Sequence, residues 1–297
     1  MKANTKAPKR RGGIALLIVV VGILIFSYPF YVNALNGFLD DWQQQQYARE
    51  AATQRKKQER KMGQHNQKIA KDGLQTGVDP FRGEASDERT RDYLAEHFLG
   101  TVTIPKLRST VNLFDRTTAW LLERGASVVP GTSMPTGQKN THALLSAHSG
   151  LPQRQLFTGL DRLEHGDTFV LTIQGKKRAY RIFRRQVVLP NKQNTIQLSE
   201  KEERVTLMTC TPYMINSHRL LLTGRRVPLT PAIKRSVNAA QGWRWLVWWG
   251  WASFILLLAA LLIIVGHRWY RQRKQPVQSI HSPTPRYVKV DSSQVGG

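Results

Sequence analysis

The sequence predicts a mainly β domain, closed or nearly closed into a barrel, with a few short helices, an N-terminal helical stalk and two flanking transmembrane helices. Three observations predict it. From Gly100 onward, short runs rich in Val, Ile, Thr and Phe follow one another within about 130 residues. Two long uncharged apolar stretches bracket them. Between the first stretch and the runs lies a polar, Gln-rich segment free of Pro and Gly.

The apolar stretches come first. Ile14–Val32 is 19 residues without a charge and Trp245–Gly266 is 22. Each is long enough, as a helix, to cross about 30 Å of hydrocarbon. Lys2, Lys6, Lys9, Arg10 and Arg11 precede the first, and Arg268, Arg271, Arg273 and Lys274 follow the second. Both tails (1–13 and 267–297) therefore read as cytoplasmic, with the middle of the chain outside a two-pass membrane protein. Trp243, Trp245, Trp248, Trp249 and Trp251 suit the outer interface. The first stretch also resembles a secretory signal ending at Val32-Asn33-Ala34, but its apolar run exceeds the usual signal core, which favours an uncleaved anchor.

Formal net charge is +24. With the tails set aside, the exported part holds 33 basic and 19 acidic residues, or +14. Such a field favours anionic lipid or wall polymers as surroundings. Nucleic acid is excluded as a partner, because no aromatic-basic binding motif accompanies the charge.

Phe38–Met62 reads as a mostly exposed helix, a stalk or a brace on the domain, broken by Gly63 and Gly73. The stalk region spans 33–75, and a loop with helix spans 76–98. That loop has turn chemistry at Asp79-Pro80, and Ser86 starts a short helix with Asp87 and Glu88 in its first turn. Strand-like runs are Thr101–Ile104, Thr141–Ala147, Thr168–Ile173, Ala179–Leu189, Val205–Thr209 and Leu220–Thr223. Thr117–Arg124 and Leu156–Glu164 read as helical pieces. The barrel domain is bounded at 99–232, with 233–244 as a linker to the second span. Pro276–Gly297 is polar and aperiodic.

Cys210 is the only cysteine, so it has no disulfide partner in its own chain. It ends one apolar run, and Arg219 opens the next after an eight-residue loop. If these strands pair antiparallel, thiol and guanidinium share one mouth, where a permanent charge with several donors can hold an oxyanion. His148, followed by Ser149-Gly150, sits at a strand exit and is the best-placed of eight histidines. His218 would point to the opposite face, and His142 precedes its strand. Taken singly, each has a blander reading: a free cysteine is more often a small buried hydrophobe. No metal-ligand cluster or cofactor motif is present in the sequence.

Taken together, the motifs resemble those of sortases. Ser146-Ala-His148-Ser-Gly-Leu-Pro152 with Leu156–Leu163 is similar to the histidine segment of that family. Thr206-Leu-Met-Thr-Cys210-Thr-Pro-Tyr213 with Asn216–Leu222 is similar to its cysteine-arginine segment. Gly131–Pro135 and Thr103–Lys106 also fit, so the similarity runs from about Asp79 to Arg226. Two anchors and Asp79-Pro80-Phe81 upstream of the barrel narrow it to the class C, pilus-assembling sortases, whose members carry an Asp-Pro-aromatic lid.

The resemblance implies a sortase-type closed barrel of about eight strands and a cysteine transpeptidase. Cys210 would attack the Thr carbonyl of an LPxTG-like sorting signal, with His148 moving the protons and Arg219 stabilising the oxyanion. The implied acceptor is a lysine amine of a pilin subunit; a wall-anchoring relative would use a peptidoglycan-precursor amine instead. Asp79 would pair with Arg219 and Phe81 would cover Cys210. Two residues depart from the family pattern. Met214 stands where glycine is common, and Ser149 replaces an arginine that often follows the histidine.

Overall fold

In this computed structural model, residues 11–75, 79–82, 90–151, 154–190 and 196–273 are described. The expected tails at 1–10 and 274–297 lie outside them, as do Ser86, Asp87, Glu88 and Pro152. Among the described residues there are eight strands: β1 (Phe98–Ile104), β2 (Ser109–Phe114), β3 (Ala126–Val128), β4 (Thr141–Ser146), β5 (Thr168–Ile173), β6 (Lys176–Val188), β7 (Glu203–Thr211) and β8 (His218–Val227). They close into a barrel in the order β1-β2-β3-β4-β7-β8-β6-β5, with β5 pairing back to β1. Pairings β2–β3 and β4–β7 are parallel; the rest are antiparallel.

Alternation along these strands sorts side chains into two sets. Val102, Leu113, Leu145, Leu171, Leu207 and Leu222 belong to the main core inside the barrel. On β4, β7 and β8 the intervening residues Leu144, Met208 and Leu221 form a second cluster on the other face. Leu74 and Phe81, which precede the barrel, pack against that cluster. All six residues of β4 are therefore buried, because both of its faces are covered.

The N-terminal helix α1 (Arg11–Asp72) runs uninterrupted through Gly63, which the sequence reading took as a break. One glycine costs about 1 kcal/mol in a helix, and docking on both sides of it outweighs that. Met62 reaches the barrel's interior cluster, Gln58 Nε2 donates to Phe98 O, and Asn66 both donates to Met134 O and accepts from Met134 N–H. Tyr47, 1% exposed, packs with Leu94, Phe98, Phe114 and Leu121. The segment expected to be mostly exposed thus carries a buried stripe. Gly73 does end the helix: its φ of +80° suits the residue after a helix, and its N–H closes on Ile69 O at 2.9 Å.

The helices between α1 and the end of the barrel are short. Helix α2 (Arg91–His97) is capped by Thr90, whose hydroxyl accepts from Tyr93 N–H. Helix α3 (Ala119–Leu122) lies within the expected Thr117–Arg124. Leu156–Glu164 is not an α-helix: Leu156 (φ +37°) and Gly159 (φ +84°) break it, leaving only a 3-10 turn at Leu160–Arg162.

Helix α4 (Pro231–Arg273) absorbs the expected linker at 233–244. Ile233 and Val237 bury against Val170 and Ala179, which is why these residues fold rather than swing free. Among the described residues, Trp249–Arg268 is long and apolar enough to cross a bilayer, with mean hydropathy 2.3 over its most apolar window. Ile18–Tyr28 of α1 is a shorter apolar stretch.

Candidate active site

Register places the three side chains singled out in the sequence. Cys210 on β7 is the direct partner of Arg219 on β8, and Thr211 pairs with His218. On the other flank, β4 runs parallel to β7 with Ser146 opposite Met208. The alignment continues past the strand end: Ala147 N–H donates to Met208 O, Thr209 Oγ1 donates to Ala147 O, and Ser149 Oγ donates to Cys210 O. His148 is thereby held level with Cys210. Alternation also puts Cys210 and Arg219 on the face of Met208 and Leu221, outside the barrel wall, where a long peptide has access.

The site is partly buried and closed from above. Cys210 and His148 are half-buried, while Arg219 is 6% exposed. The Asp79 carboxylate accepts two hydrogen bonds from that guanidinium, from Nη2 at 2.7 Å and from Nε at 3.2 Å. Arg219 Nη1 donates to Asn216 O and His218 O. Phe81 follows Asp79 in a 3-10 turn (Pro80–Arg82), and its ring lies 5.3 Å from the imidazole of His148 and 5.0 Å from the Arg219 guanidinium. The ring thus contacts the histidine and the arginine rather than standing over the thiol alone.

Burial pushes the Cys210 thiol up from its ordinary range; Arg219 pulls it down, and Asp79 pushes it up again. Burial lowers the His148 imidazole, against Glu123 and with Arg219. Both groups are therefore neutral near pH 7, and the closed site holds a thiol and an imidazole rather than an ion pair.

Two flanking features were not legible in the sequence. His142 is the second residue of β4, not a residue ahead of it, and is 2% exposed. Its Nδ1 donates to Gln197 O at 2.8 Å, so Nε2 accepts from Thr206 Oγ1, also at 2.8 Å. Thr223 Oγ1 extends the chain at 2.8 Å from Thr206 Oγ1. Burial lowers His142 to about 4, so it is a structural, neutral imidazole. The second feature is the β7–β8 loop. Met214 (φ +67°) sits in the left-handed region, which accounts for glycine being common there. A Cβ on Gly150 would meet the Tyr213 ring at 3.0 Å, so this glycine lets the loop close against the residues after His148.

The sortase domain model matches residues 102–227. Streptococcus agalactiae sortase C1 is 37% identical over 56% of this chain and 85% of its own, with a TM-score of 0.50. Sortase C from Streptococcus pneumoniae, described in connection with pilin substrate specificity, is 32% identical over 63% of this chain and 97% of its own, at a TM-score of 0.53. Sortase C1 of the GBS pilus island 1 is 36% identical over 57% and 81%, with a TM-score of 0.50. No curated protein sequence matches the chain significantly.

Proposed function

Since the chain belongs to the sortase family of cysteine transpeptidases, we propose that it is a membrane-anchored class C enzyme that joins pilin subunits. It cleaves an LPxTG-like signal between Thr and Gly and passes the acyl group to a pilin lysine. The observation that carries this reading is the direct pairing of Cys210 with Arg219, with His148 held alongside. Similarity to sortase C enzymes supports the pilin assignment, and the apolar Trp249–Arg268 helix supports the anchor.

Protons balance as follows. When substrate displaces the Asp79-Phe81 lid, Arg219 loses its carboxylate partner and favours the thiolate. The thiol proton passes to His148, and Cys210 Sγ bonds to the Thr carbonyl carbon. Arg219 holds the resulting oxyanion. On collapse the Thr–Gly C–N bond breaks, and the glycine amine leaves with the proton from His148. The acceptor amine then attacks the thioester and gives a proton to His148; an isopeptide bond forms as the thiolate departs.

The test is to incubate the full chain with an LPxTG peptide and look by mass spectrometry for an acyl adduct on Cys210. The adduct should form, should be absent in Cys210→Ala, and should resolve onto a lysine-bearing pilin domain. Resolution only by a peptidoglycan-precursor amine would select wall anchoring. Resolution by water alone would make the protein a hydrolase, and polymerisation by Cys210→Ala would make it a scaffold.

A further inference from the structure

The end of the barrel that holds Cys210 also leaves large apolar side chains in solvent. Tyr213, Met214 and Ile215 are the tip of the β7–β8 loop, at 60%, 72% and 71% exposure. Val187 near the end of β6 and Leu189 just past it lie at the same rim, 56% and 48% exposed, since Val188 pairs with Arg219. The tip is preformed: Ile215 N–H and Asn216 N–H both donate to Pro212 O, and Met214 and Asn216 hold left-handed φ. A lone exposed apolar residue is ordinary, but a patch of them on one rim marks an interaction surface.

Helix α4 indicates what covers it. β8 runs away from the catalytic end, and α4 starts after it at the far end. Ile233 and Val237 then pack on Val170 and Ala179. Some 15 Å further along the helix, Trp243 stacks with Arg108, whose guanidinium is 4.1 Å from the ring. Arg108 belongs to the β1–β2 turn, and the adjoining Leu107 O accepts from Gln155 Nε2, beside the Phe157 N–H that donates to His148 O. The helix has therefore climbed the barrel to its catalytic end when the tryptophan-rich segment begins. Tryptophans of this kind concentrate at the membrane–water interface.

We propose that the catalytic rim of the barrel faces the bilayer and that the Tyr213–Ile215 tip dips into the head-group region of an anionic lipid surface. The exported part's net charge of +14 favours such lipid. The inference rests on the membrane anchorage proposed above, not on the transpeptidation chemistry. A sorting signal close to its own membrane segment would then meet the thiol without leaving the surface.

The test uses the full chain carrying Cys210→Ala, with Met214→Cys or the far-end Lys201→Cys labelled by an environment-sensitive fluorophore. The protein is reconstituted in phosphatidylcholine–phosphatidylglycerol vesicles, with or without shallow nitroxide lipids. A blue shift and strong nitroxide quenching at position 214, with neither at 201, is expected. A label at 214 as wet and unquenched as that at 201 overturns the inference and leaves the anchor standing. Shielding at 214 that appears only with added sorting peptide overturns it in favour of a substrate-docking surface. Failure of the chain to enter vesicles overturns both the anchor and the inference. A parallel label at Val187→Cys reads the same rim if the loop variant misfolds.

Discussion

The two ends of the barrel each hold a buried carboxylate paired with an arginine, and the pairs differ in what holds the carboxylate. At the far end, Glu203 is 3% exposed, accepts from Gly137 N–H at 2.7 Å and from Arg226 at 3.1 Å, and sits on β7 in the parallel ladder with β4. At the catalytic end, Asp79 is equally buried and takes two hydrogen bonds from Arg219, but its backbone lies outside the sheet, just ahead of a three-residue turn. Glu203 cannot leave without opening the barrel. In the proposed mechanism Asp79 lifts as a cover does, and its departure changes the charge around a thiol. The same ion-pair chemistry is thus a rivet at one end and, in that proposal, a latch at the other.

Of the two ends, the larger loss of stability is expected at Glu203. Glu203→Ala orphans the Gly137 N–H and leaves Arg226 with only its bond to Gly137 O, and should cost about 2 kcal/mol of stability, read as a lower Tm or denaturant midpoint. The labelling rate of Cys210 in the folded protein should not change. Asp79→Ala should do the reverse. Removing the carboxylate takes away a group that pushes the thiol up, so a small alkylating reagent should modify Cys210 about tenfold faster near pH 7. Its stability loss should be smaller than that of Glu203→Ala, because Arg219 Nη1 keeps two carbonyl partners. An unchanged labelling rate would remove the latch from the account.

A third measurement tests the wall between the two ends. His142 titrates at about 4 when folded and near 6.5 when unfolded, so the unfolded chain binds its proton first. Stability is complete above pH 6.5 and falls as the pH drops toward about 4, by up to about 3 kcal/mol. A His142→Gln variant should lose that acid slope in a Tm-versus-pH series. The smallest effect is at Met214, where Gly removes the left-handed strain and should raise stability by about 0.5 kcal/mol, with no change in thiol labelling. A fall in Tm would mean that the Met214 side chain is held by the loop.

Six of the eight strands were legible because runs such as Thr168–Ile173 and Val205–Thr209 are long and rich in β-branched residues. β3 was not, since three residues carry no period, and β2 was not, since Asn112 interrupts its apolar pattern. The reading of Gly63 as a break failed for another reason. Local propensity is decided there by Met62 and Asn66, which find partners far along the chain. Spacing alone gave the facing of Cys210 and Arg219, because a loop joining adjacent antiparallel strands is a local event. Its place at a strand exit favoured His148, but the level of that residue and the Asp79–Arg219 pair are non-local, and the pair was suggested only by the family resemblance. The His142–Thr206–Thr223 chain had no sequence signal, as three common polar residues far apart carry no pattern.

The parallel seam between β4 and β7 has a further consequence. The chain leaves this seam after Ser149 and does not rejoin it until Glu203, having built β5 and β6 on the opposite wall. Insertions in that excursion would leave thiol and imidazole at the same separation. Deleting one residue between Met208 and Cys210 would turn the sulfur through the wall toward the interior while the rest of the barrel stayed intact.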